Sequence, residues 1–485
     1  MSSATLGNLL DGAWATVGGD GEIPVTDPSN VDSTVAVVPA MSAADITAVY
    51  DAAQRGAQVW RHTRPLQRAA VMSAAAGLLR DRRDEIAREL VAEMGKTLAE
   101  ATVEVTKAAD FLDYYASMAR LPLGVELADA RPNVNVAVRN EPVGIVLLIT
   151  PWNDPLLTPA RKLAPALFAG NAVILKPATE TPVVSLRLAE ALNDAGLPAG
   201  VLGTVTGRAS RIASALLADP RLAAVSFTGS TEVGLQLHRE LAGRNVRLQT
   251  EMGGKNASAV LADADIDLAA ETIVAASFGQ AGQRCTATSR VIVDRRIAAE
   301  LLPKLVEGAR RPRLGPGLDA QTDIGPVVSR RHQSEIVAHL ERAREQGAEI
   351  LAGGGVPDAP ELATGCYVEP TVIAGVTADM SIWREEVFGP AIAVIECDGV
   401  EQAVELVNDS RYGLSAAVFT RDLGAAAYFQ EHVNTGQVSV NLPTSGWDVH
   451  QPFGGFLDSG SAFKEQGLES LRFYTRVKTV AVKSA

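Results

Sequence analysis

Cys285 sits in FGQAGQRCTATSR (278–290), with Gly279 and Gly282 ahead of it and a small polar run, Thr286 to Ser289, behind it. Glycines let the chain turn tightly enough to present a thiol at a bend. The following TATSRVIV alternates small polar and β-branched residues, which predicts a strand leaving that bend. A nucleophile would be held in this way. A free cysteine is also a small hydrophobe that packs in cores, so the residue alone does not decide. A second stretch with chemical potential is FTGSTEVG (227–234). Here a glycine and hydroxyls precede a helix start, where free N–H groups and the helix dipole can hold a phosphate. Many such starts are simple N-caps. Neither GxGxxG nor GxxxxGK[ST] occurs, so the common phosphate motifs do not apply.

These stretches need elements to position them. Turn signals at 11–12, 18–21 and 27–30 predict a hairpin or meander over residues 7–30. From Ser42, alanine-rich amphipathic helices run to about residue 120, broken near Arg64-Pro65 and Gly95. NVNVAVRN (133–140) alternates as a half-exposed strand does. Val143–Thr150 is apolar throughout, as in a parallel sheet covered on both faces. Strands and helices then alternate to Phe227, which predicts a doubly wound sheet. Ligands of such sheets lie beyond the C-terminal strand ends, where this chain has Pro151-Trp152-Asn153-Asp154, Lys176-Pro177-Ala178-Thr179 and Thr228-Gly229-Ser230. A second βα series follows Glu251 and contains Cys285. Residues 313–330 and 353–366 read as surface loops. The tail from Leu471 to Val482 reads as a strand without an obvious partner, a feature that invites pairing with another subunit.

With 485 residues, the chain is long enough for two or three domains. Hydrophobic residues at 47% and charged residues at 21% describe a globular protein with large cores. A net charge of −13 argues against a nucleic-acid partner. Three cysteines without a CxxC fit a reducing compartment, and scattered histidines without HExxH or a Cys/His cluster indicate no metal site. The start MSSATLGNLLDG lacks the pattern of a signal peptide, and VGIVLLI (143–149) is too short to span a bilayer. The expected location is cytoplasmic, with no membrane partner.

Seven motifs occur in a telling order: PWN (151–153), LKPA (175–178), FTGST (227–231), EMGGK (251–255), GQRC (282–285), EEVFGP (385–390) and PFGG (452–455). In order, and in the spacing of Glu251 and Cys285, the chain resembles the aldehyde dehydrogenases over almost its whole length. The resemblance implies that Cys285 attacks an aldehyde carbon, that Asn153 and the Cys285 N–H hold the oxyanion, and that Glu251 is the general base for thioester hydrolysis. It implies NAD or NADP as cofactor, with Trp152, Lys176, Thr179, Gly229, Ser230, Glu386 and Phe388 as contacts. Members that prefer NAD usually carry an acid where this chain has Thr179. Thr179 therefore permits NADP, unless Glu180 reaches back.

The same resemblance lines the aldehyde pocket with Asp154, Thr158, Arg161, Trp447 and Phe453, with Arg284 and Ser445 nearby. Three polar residues at the first three places favour a short semialdehyde bearing a carboxylate over a neutral aliphatic or aromatic aldehyde. Motifs point to relatives that oxidise 2-oxoglutarate semialdehyde. Arg161 is expected to grip the substrate carboxylate, or else to pair with Asp154. The implied fold is α/β: a Rossmann-like parallel-sheet cofactor domain (1–117 and 140–250), an α/β catalytic domain (251–466) and a small β oligomerisation element (118–139 and 467–485), assembled as a homodimer or homotetramer. A cofactor-independent thioesterase would produce no reduced nicotinamide with any aldehyde. A non-catalytic relative would hold Cys285 buried and inert to alkylation.

Overall fold

Strand Ile145–Ile149 shows why the first sheet forms where it does. Its residues are apolar, and alternate ones enter two different cores. Val146 and Leu148 face the helices Pro65–Asp81, Leu98–Ser117 and Leu157–Ala169, while Ile145 and Leu147 face Ala43–His62 and Ala209–Ala218. A strand buried on both faces needs covering helices on both sides, which sequential βα units supply. The computed structural model describes residues 4–16, 18–121 and 124–484. The expectations for residues 1–3, 17, 122, 123 and 485 lie outside the described residues.

The first sheet is wholly parallel, in the spatial order Leu202–Thr204, Ala172–Lys176, Ile145–Ile149, Leu222–Thr228, Arg247–Glu251. Strand order reverses between Ile145–Ile149 and Leu222–Thr228, so their C-terminal ends open a crevice at the switch point. Pro151 to Asn153 and Gly229-Ser230 follow directly from these two ends. The second sheet has seven strands, in the order Glu349–Ala352, Thr371–Ala374, Ala391–Cys397, Thr288–Asp294, Asn256–Val260, Ser415–Phe419, Gln437–Val440. Only the first pair is antiparallel. Thr288–Asp294 is the strand expected behind Cys285.

The helical N-terminal region breaks where proline and glycine require it. Helix Ala43–His62 starts at Ser42, whose N–H donates to Asp45 Oδ2 at 2.7 Å, and Pro65 opens the next helix. Gly95 ends Arg83–Met94 with φ 92°. No helix among the described residues is long and apolar enough to cross a membrane.

The tail differs from expectation in two ways. Ser470–Tyr474 is a short helix, because adjacent Phe473 and Tyr474 are both buried and a strand would turn one of them outward. The strand proper, Thr475–Lys483, has a partner in its own chain: it pairs antiparallel with Val134–Pro142, which in turn pairs with Gly124–Leu127. Thr475–Lys483 forms one edge of this three-stranded sheet.

Candidate active site

Helix Ile266–Phe278 delivers the chain to Cys285 through a left-handed stretch: Gln280, Ala281 and Gly282 have φ of 54°, 54° and 68°. At Gly282 a Cβ would lie 2.3 Å from Gly389 O, so glycine is required twice over. Gly279 has φ −53° and room around it, so the bend depends on Gly282 and not on both glycines. Two non-glycine residues in this region store strain that surrounding contacts must hold. Gln280 supplies them. Its N–H donates to Glu100 Oε1 (2.7 Å), its Nε2 to Asn153 O (2.6 Å) and Asp154 Oδ1 (3.2 Å), and its Oε1 accepts from Arg284 Nε (3.0 Å). Behind the thiol, Asn256 Nδ2 donates to the carbonyls of Cys285 (2.7 Å) and Ala287 (2.9 Å).

Asn153 comes to the same place from the first sheet, buried, with Nδ2 donating to Gln283 O at 3.0 Å. The Cys285 N–H has no acceptor among the described residues. Glu251 ends strand Arg247–Glu251. Its Oε1 accepts from Gln249 Nε2 (3.0 Å), and its Oε2 is buried with no partner. Burial and the neighbouring Glu465 carboxylate push the Glu251 carboxyl well above the usual range, against Lys162, Lys464 and Arg161. Burial likewise pushes the Cys285 thiol up. Arg161 opposes this, while Asp154, Glu251 and Glu386 add to it. The resting centre therefore holds a protonated thiol beside a carboxyl of raised basicity.

One cavity, of about 370 Å³, opens from Cys285 toward the switch point of the first sheet. Its walls include Trp152, Glu180, Gly229, Ser230, Glu386 and Phe388, together with His332 and Glu335 from helix Arg330–Glu345. Trp152 and Phe388 meet edge to face at 5.3 Å, and His332 Nε2 lies 2.9 Å from Phe388 O, fixing a residue with φ 53°. Glu386 Oε1 accepts from the Gly254 N–H at 2.9 Å, and burial pushes its carboxyl up to about 7. A Cβ on Gly253 would fall 2.0 Å from Glu386 Oε2, so only glycine leaves this carboxylate its place. Ser230 is the N-cap of Thr231–Leu241 and also lines the cavity. The Gly229 N–H is spent on Glu251 O. Lys176 and Thr179, expected as cofactor contacts, are not among the residues lining this cavity. Lys176 Nζ donates to Pro177 O (2.9 Å) and is lowered to about 8 by burial, and Thr179 Oγ1 donates to Gly207 O (3.3 Å). Carboxylate acceptors, aromatic faces and a capped helix start form a donor set that fits a dinucleotide.

A second cavity, of about 240 Å³, opens from Cys285 on another side, toward helix Leu98–Ser117 and the loop with Ser445 and Trp447. Asp154, Arg161 and Phe453 border both cavities; Thr158 faces the first and Arg284 the second. Of the two roles expected for Arg161, the pairing with Asp154 is corrected here. The arginine's partner is Glu465, at 2.9 Å, and its guanidinium also lies 4.8 Å from the Phe453 ring centre. Asp154 pairs with Lys96 at 3.1 Å instead. Despite burial, Lys96, Arg284 and Arg161 hold the Asp154 carboxyl below the usual range. Arg161 pairs with Glu465 because that carboxylate is buried and needs close cationic partners, a place it shares with Lys162.

The nucleophile loop stands where the two cavities meet, with Cys285, Asp154, Arg161 and Phe453 common to both. The model of the aldehyde dehydrogenase family matches residues 14–480. The chain belongs to the aldehyde dehydrogenase family. It is an NAD(P)-dependent enzyme that oxidises aldehydes. It is similar to an alpha-ketoglutarate semialdehyde dehydrogenase of Haloferax volcanii, 42% identical over 98% of each chain. Similar too are a 2,5-dioxopentanoate dehydrogenase of Saccharolobus solfataricus (38%; 94% of this chain and 95% of the other) and an alpha-ketoglutaric semialdehyde dehydrogenase of Bacillus subtilis (35%; 98% of each). A solved betaine aldehyde dehydrogenase of Staphylococcus aureus in complex with NAD+ superposes with a TM-score of 0.96 at 31% identity, covering 99% of this chain and 95% of that one.

The dehydrogenase also uses residues that no motif announces. Gln280 ties the nucleophile loop to Asn153. Lys96 contacts Glu104, whose other oxygen accepts the N–H groups of Leu156 (2.9 Å) and Leu157 (3.0 Å), and so holds the start of the helix carrying Thr158 and Arg161. Lys162 and Glu465 connect Arg161 to the neighbourhood of Glu251. Nothing beside Lys96 (Gly95, Thr97) or Lys162 (Arg161, Leu163) in the sequence marks either as buried.

Proposed function

We propose that this aldehyde dehydrogenase oxidises a short semialdehyde bearing a carboxylate, of the 2-oxoglutarate semialdehyde kind, to the corresponding dicarboxylic acid. The observation that carries this reading is the second cavity: its walls are largely apolar but include Asp154, Arg284, Ser445 and the Trp447 indole N–H, polar groups that a long apolar or aromatic aldehyde would leave unsatisfied. Relatives named for that substrate, at 35–42% identity, support it.

In the reaction, Glu251 or solvent takes the Cys285 proton and the thiolate adds to the aldehyde carbon, forming a thiohemiacetal. Asn153 Nδ2, released from Gln283 O, and the unengaged Cys285 N–H donate to the oxyanion. NAD(P)+, when bound, accepts the hydride. Glu386, Trp152, Phe388 and Ser230 would hold it. Cys285 then carries a thioester, and Glu251 activates the water that hydrolyses it.

NAD is the favoured cofactor in this reading. Thr179 directs its hydroxyl to Gly207 O, while the neighbouring Glu180 lines the cavity and supplies the anion that Thr179 lacks. A 2′-phosphate would meet that charge. Glu180→Gln is expected to raise the NADP-to-NAD ratio of kcat/KM by roughly ten-fold, since like-charge repulsion of about 1.4 kcal/mol has that effect. An unchanged ratio would remove Glu180 from cofactor choice. The unpaired edge of Thr475–Lys483, with Val477 and Val482 exposed, suits association into a dimer or tetramer. Three free thiols suit a reducing cytoplasm.

The reading is tested by assaying 2-oxoglutarate semialdehyde, succinic semialdehyde, pentanal and benzaldehyde with NAD. The acidic pair should lead in kcat/KM. Equal or better turnover of the neutral pair would refute the carboxylate reading and leave the family assignment intact.

A further inference from the structure

Most cations around the second cavity have a carboxylate neighbour, although Arg161 shares Glu465 with Lys162 and its Nε is buried without a partner. Lys96 contacts Glu104 and Asp154, Arg161 pairs with Glu465 at 2.9 Å, and Arg284 binds Gln280 Oε1 and lies 3.7 Å from Glu100. Lys107 lines the same cavity and has no carboxylate or other hydrogen-bond partner among the described residues. It stands one helical turn beyond Val103 on Leu98–Ser117, and both side chains face the cavity. A further unsatisfied donor is close at hand: Trp447 Nε1, on the loop forming another wall, is buried without an acceptor. Leaving a buried N–H unpaired is costly, so such a donor marks a place where a ligand acceptor belongs.

We propose that Lys107, with the Trp447 indole N–H, holds the acid end of the substrate while Cys285 takes its aldehyde end. The assignment rests on the acidic-semialdehyde reading above, and gives the carboxylate contact to Lys107 instead of Arg161, whose Nη1 is already engaged by Glu465. An ammonium on a flexible stem suits this role, because it can follow a carboxylate as the aldehyde carbon approaches the thiol. The indole donor, rigid on its loop, fixes the direction of approach. Lys107 is a specificity-determining residue in this scheme and takes no part in the chemistry at Cys285.

The test compares wild type, Lys107→Met, Lys107→Arg and Trp447→Phe with NAD, using 2-oxoglutarate semialdehyde and pentanal. Lys107→Met should lower kcat/KM for the acid ~10–100-fold, chiefly through KM, as loss of a charged hydrogen bond does. Pentanal should change less than about two-fold, and Lys107→Arg should restore most of the loss. Trp447→Phe should weaken the acid several-fold more than pentanal. Equal losses for both aldehydes in Lys107→Met would mean a structural role and overturn the assignment. Undiminished preference for the acid in that variant would also overturn it, with the acidic-substrate reading left standing. A wild type indifferent to the acid group would remove both.

Discussion

Cys285→Ala is expected to abolish aldehyde oxidation, with a loss on the order of 10⁴-fold or more, while NAD binding stays within about two-fold of wild type. The two effects separate because the thiol sits where the two cavities meet, and the groups suited to the cofactor lie on one side of it. The loop backbone is held by Asn256, Gln280 and Gly282, none of which touches the Sγ atom in doing so. Removing the sulfur should therefore leave the cleft its shape. Steady-state assays for turnover and titration calorimetry for NAD read the two quantities independently. Residual turnover above about 1% of wild type would mean that hydride transfer proceeds from the free aldehyde hydrate, and the thioester route would be wrong.

Glu251→Gln is the second large effect, and its kinetic form is more informative than its size. Steady-state turnover should fall ~10²–10⁴-fold, the usual contribution of a general base. Addition and hydride transfer come before hydrolysis, so a single turnover should still release about one equivalent of NADH per site in a rapid burst. The pH dependence has a definite sign. A base must be unprotonated to act, and burial beside Glu465 raises the pH at which Glu251 loses its proton. Hydrolysis should thus decline as pH falls through a range well above that of an exposed glutamate, and this acid limb should vanish in Glu251→Gln. A variant without a burst would assign Glu251 to thiol activation, and one with wild-type turnover would assign the base elsewhere.

Residue type and order made much of this site readable before any coordinates. Cys285 after Gly282, the PWN turn and the Glu386–Phe388 segment are local signals, each written in a few adjacent residues. The two sheets were readable for the same reason, since a run such as Ile145–Ile149 states its own environment. Contacts that depend on the fold were not readable. Arg161 finds Glu465 across a sequence separation of 304 residues, and no local feature of either one names the other. Residues 313–330 read as a surface loop, yet Val328 and Ser329 reach the cofactor cavity. Glu180 and Thr179 differ by one position in the chain, and only the turn they share decides which faces the cleft. Gln280 was hidden by its neighbours, because a left-handed glutamine runs against the expectation that glycine marks such a turn.

The pairing of Thr475–Lys483 with Val134–Pro142 bears on how the protein is made. Pro142 leaves the ribosome long before Thr475, its partner in the sheet. At about 5–20 residues per second, the first strand waits on the order of tens of seconds with one edge bare. Arg247, donating to the carbonyls of Arg472, Phe473 and Thr475, can anchor this segment only after residue 475 has been made. Thr475–Lys483 is therefore made long after the strand it pairs with, and until then Val134–Pro142 has only Gly124–Leu127 beside it.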